Sequence, residues 1–134
     1  RITGYKKRMD ISLDNDLDFL FLEFVYQSQQ NIKELSEYSK LLGGKTAGGN
    51  SLSGKYYHAW TDFKFMFSQQ QRQIMLDYCE YGEDVAKSAY QKAISDKDIN
   101  WNKKIARVLI SHVDEFKIAH KQITDLRDSC VPAA

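Results

Sequence analysis

At 134 residues, 43% hydrophobic and 28% charged, the chain has the length and composition of one globular domain with a sizeable core. Nineteen basic and eighteen acidic residues leave a formal net charge of +1, which excludes the electrostatic footprint of a nucleic-acid or acidic-membrane binder. No apolar run approaches the ~20 residues of a membrane span, no signal-peptide pattern is present, and Cys79 and Cys130 lie outside any CxxC, so a reduced, cytoplasmic protein is expected.

The first element is a helical piece in which Ile2, Tyr5 and Met9 recur at spacings of three and four. Ser12, Asp14 and Asn15 then offer N-caps for a long helix over about Asp16 to Leu42. Its stripe steps through Leu17, Phe21, Phe24, Ser28, Asn31, Leu35, Tyr38 and Leu42, and Gly43-Gly44 supplies a stop. After "TAGGNSLSG" comes a short aromatic helix carrying Tyr56, Trp60, Phe63 and Phe67. Ser68 caps a third long helix, about Gln69 to Ser95, with a seam through Met75, Cys79, Gly82, Ala86, Ala89 and Ala93. "DKDIN" is the next turn and cap. The last helix, Trp101 to about Asp128, has the cleanest pattern: Ile105, Leu109, His112, Phe116, Ala119, Ile123 and Leu126. These spacings predict an all-α fold, an antiparallel helical bundle over residues 1–129 with a tail at 130–134.

Chemistry-bearing residues are sparse. A Glu-x-x-His pair would place two ligands on one helix face, but Lys55, Leu109 and Lys117 stand three residues before the histidines. At about 100° per residue, Glu83 lies roughly 80° from the centre of the third helix's seam, while Glu80 and Asp84 point to solvent. His112 falls near the centre of the last stripe and His120 about 60° to one side. A lone histidine on an apolar stripe is most simply a hydrogen-bonded core residue. The sharper reading joins Glu83, His112 and His120 as ligands of iron or another divalent metal.

Nucleophilic catalysis has no supporting constellation: Cys79 sits on the buried seam as a small hydrophobe, and Cys130 has no histidine at a suggestive spacing. "GGKTAGG" lacks the first glycine of a phosphate loop and follows a helix rather than a strand. Phe19, Leu22 and Tyr26 face away from their helix's main stripe, as do Ile110 and Ile118 on the last helix. Such a second apolar side is covered either by the short aromatic helix or by another subunit.

"GYKKRM", "LLGG", "SLSGKYYHAW", "CEYGEDVAKSAYQKAI" and "AHKQITDLRDS" occur in this order along the chain. Together they resemble a bacterial family of ferritin-like four-helix-bundle proteins that is catalogued as a domain of unknown function. The resemblance implies a ferritin-like bundle with an extra short helix between the second and third long helices, and a first helix that starts upstream of Arg1. It implies no activity, and the paired Glu-x-x-His ligands of di-iron bundles are not found here. The expectation is thus a non-catalytic structural, stress-related or interaction protein that self-associates, needs no cofactor, and binds neither nucleic acid nor membrane. The alternative is a metal-binding ferritin-like protein with a non-standard site between the third and fourth long helices.

Overall fold

The computed structural model describes residues 1–11, 15–41, 43 and 71–130. Among these residues the regular structure is entirely helical: α1 (Ile2–Ile11), α2 (Asn15–Leu41), α3 (Gln71–Ser95) and α4 (Lys103–Asp128). The expected aromatic helix with Tyr56, Trp60, Phe63 and Phe67, and the caps Ser12, Asp14 and Ser68, lie outside the described residues. No described helix is long and apolar enough to cross a membrane. The chain divides into two compact units, Arg1–Gln71 and Arg72–Ala134.

In the first unit α1 packs on α2. The Tyr5 ring lies 5.2 Å from that of Phe21 and 5.1 Å from that of Phe24, centroid to centroid. Arg1 donates to Gln27 Oε1 and Ser28 Oγ, each at 2.9 Å. The buried side of α2 follows the expected stripe through Leu17, Phe21, Phe24, Ser28 and Asn31, with Val25 added. Ser28 is accommodated because its hydroxyl donates to the Phe24 carbonyl at 2.7 Å, one turn back on the same helix. Asp16 and Asp18 in the first turn and Lys40 in the last complement the helix dipole. Past the end of α2, Gly43 takes φ +74 and donates to the Lys40 carbonyl at 3.0 Å, a left-handed conformation that favours glycine.

The second unit is built on a hairpin of α3 and α4. Its turn is closed by local bonds: Asp98 N–H donates to Asp96 Oδ1 at 2.9 Å, and the Trp101 indole reaches back to the Ala93 carbonyl at 2.9 Å. Asn102, rather than a residue before Trp101, is the N-cap of α4, accepting from Lys104 N–H at 2.8 Å. The buried side of α4 matches the expected pattern through Ile105, Leu109, His112, Phe116, Ala119 and Ile123, again with one addition, Val113.

The seam of α3 differs from the expectation. Met75, Leu76, Cys79 and Glu83 are buried, whereas Ala89 is exposed and Gly82 half-buried. The helix is turned by about one residue so that Leu76 goes inside and Tyr90 meets the Phe116 ring edge-on at 5.0 Å. Burying larger apolar groups yields more than burying alanine and glycine, at about 0.8 kcal/mol per methylene, and that difference sets the rotation.

Candidate functional site

The hairpin brings polar side chains of α3 and α4 together at successive levels. Nearest the turn, the Tyr90 hydroxyl and His112 Nδ1 are 3.0 Å apart, and the two rings meet edge-on at 5.6 Å. His112 is buried and sits among Leu109, Val113 and Phe116, the neighbours that α4's own periodicity places beside it. Its geometry is that of a hydrogen-bonded core histidine.

Farther from the turn, His120 Nε2 lies 3.4 Å from Glu80 Oε1 and 3.2 Å from Asp84 Oδ1. Glu80 and Asp84 are four residues apart on α3, hence on one face and one turn from each other. One ligand atom from each of Glu80, Asp84 and His120 falls within a 4.8 Å group, and all three residues are partly exposed. Around this group, Arg127 pairs with Glu80 through Oε2 and with Asp77 at 3.4 Å, and Lys87 lies 3.5 Å from Asp84 Oδ1.

The residues expected to act together are therefore placed in different surroundings. His112 is engaged with Tyr90, His120 faces Glu80 and Asp84, and Glu83 is 1% exposed, buried more deeply than the margin of the core where the periodicity set it. Glu80 and Asp84, expected to be only solvated, are the carboxylates that meet a histidine. Their spacing of four was visible in the sequence. The missing signal was the hairpin register, which carries the later turns of α4 back alongside the middle of α3.

A separate surface feature lies on the first unit. Phe19, Leu22 and Tyr26 are 75%, 55% and 63% exposed, on one outward face of α2. They line a groove of about 600 Å³ together with Val25, Gln29, Glu23 and, from α1, Lys6. On the second unit Ile110 and Ile118 are exposed as well. Cys79 is buried and Cys130 half-buried, and neither forms a disulfide.

Comparison with protein families matches residues 2–96 to the model described as a domain of unknown function, DUF2383. No curated protein and no solved structure gives a significant match.

Proposed function

The chain belongs to the DUF2383 family, and on that premise we propose a ferritin-like, antiparallel four-helix-bundle protein of the bacterial cytoplasm with a non-catalytic, interaction-based role. Its partner in the first instance is a second copy of itself. The observation that supports this most directly is the outward face of α2, where Phe19, Leu22 and Tyr26 combine exposure with a concave surface.

With aromatic side chains offering about 150–250 Å² each, these three residues leave roughly 350 Å² of apolar surface in water, within the size range of patches that are often functional on monomers. Charge favours self-pairing over an arbitrary partner. Lys6 and Glu23 both line the groove, from α1 and α2 respectively. In a two-fold contact every pairing occurs twice, so a Lys6–Glu23 pair between copies would form in both directions. The non-catalytic part of the reading is supported by Cys79 and His112, the residues closest to catalytic types, being committed to buried packing and to Tyr90.

Light scattering on the full-length protein at tens of micromolar tests the proposal. A dimer is expected for the wild type and a monomer for Leu22→Glu. Charge reversal adds a test of the two-fold geometry: Lys6→Glu or Glu23→Lys alone weakens the dimer, and the double reversal restores it. A monomeric wild type overturns the reading.

A further inference from the structure

We propose that Glu80, Asp84 and His120 form a binding site for one divalent transition-metal ion, spanning α3 and α4. This site is independent of the self-association surface. It consists of two carboxylate oxygens from one helix face and an imidazole nitrogen from the facing helix, rather than of carboxylates alone.

Two of the three donor spacings match those of ligands around an ion, and the Glu80–Asp84 pair lies within 4.8 Å. Metal–ligand bonds of about 2.0–2.2 Å put neighbouring donor atoms roughly 3.0–3.4 Å apart in octahedral or tetrahedral geometry. His120 Nε2 stands 3.4 Å from Glu80 Oε1 and 3.2 Å from Asp84 Oδ1. Two carboxylate oxygens converge on the same ring nitrogen. The surroundings fit the same role. Arg127 occupies Glu80 Oε2 and leaves Oε1 directed at His120, as the outer groups of metal sites orient the ligands they touch. Lys87, three residues along the helix from Asp84 and partly exposed, makes only a surface pair that an incoming dication displaces.

The donor set selects the class of ion. One imidazole with two carboxylates suits zinc, cobalt, iron or manganese, whereas calcium and magnesium prefer oxygen ligands only. Three protein donors also leave coordination positions for water or an external ligand.

The test titrates the full-length protein, purified without a metal-affinity tag and stripped with chelator, with Co(II) or Zn(II) alone. About one equivalent should bind per chain, with Co(II) giving a visible band of an N/O-ligated centre. His120→Ala and Asp84→Asn should each lower the affinity at least ~10-fold, the scale on which even outer-shell losses are felt. His58→Ala serves as the control for adventitious imidazole binding and should bind like wild type. Asp84 is partly exposed, so its substitution leaves the fold intact, as far-UV circular dichroism will verify. Absence of saturable binding, or equal affinity in wild type, His120→Ala and Asp84→Asn, overturns the proposal and leaves an ordinary histidine–carboxylate cluster.

Discussion

Tyr90 and His112 hold one hydrogen bond between them at 3.0 Å, but they differ in exposure: His112 is buried and Tyr90 half-buried. That asymmetry decides which substitution is costly. Tyr90→Phe leaves the buried imidazole without this bond and should cost about 1 kcal/mol in urea denaturation. His112→Leu fills a similar volume and lets the tyrosine hydroxyl turn to water, so its effect should stay within about 1 kcal/mol of wild type and can be stabilising. A larger loss in His112→Leu than in Tyr90→Phe would contradict this account. The burial of His112 is legible from α4's periodicity alone. Its partner is not, because the match of Tyr90 to His112 is a property of the hairpin register and not of either helix.

At the level of elements, α2 and α4 follow their sequence patterns because large apolar residues recur at regular intervals and leave one dominant face. The pattern of α3 is weaker. Glycine and alanine mark the 4-3-4 spacing, yet Leu76 and Tyr90 carry more apolar surface and turn the helix toward themselves. Glu83 is taken inside by that same rotation. Helix ends depend on single side chains. Asn102 caps α4 through its Oδ1, and Asn102→Ala should lower stability by about 1 kcal/mol, measured as a drop in Tm. Trp101 stays out of the helix because its indole is spent on the Ala93 carbonyl at the end of α3.

On the scale of the whole molecule, the family match ends at residue 96, one residue beyond α3, while the partners of α3 described above lie on α4 or in the turn. The all-helical character could be read along the chain, but the meeting of Glu80, Asp84 and His120 could not, since it joins residues from two helices. A chain ending at Asp96 loses His112, Phe116, His120 and Arg127 together. It should therefore melt at a lower temperature than the full chain by circular dichroism, because α3 loses the facing side chains of α4. A cooperative transition at the wild-type temperature would show α4 to be dispensable.

The polar rungs of the hairpin also differ in the entropy lost on closing them. Ala93 and Trp101 are 8 residues apart, Tyr90 and His112 are 22, and Asp77 and Arg127 are 50, with Asp84 and His120 between the last two levels. Loop-closure entropy rises only with the logarithm of separation, so the step from the first rung to the second adds about 0.9 kcal/mol and the step from the second to the last about 0.7 kcal/mol. Once Trp101 has locked the turn, each later level closes against a small increment. On loop-closure cost alone, the levels nearer the turn are therefore cheaper to close than the cluster around His120.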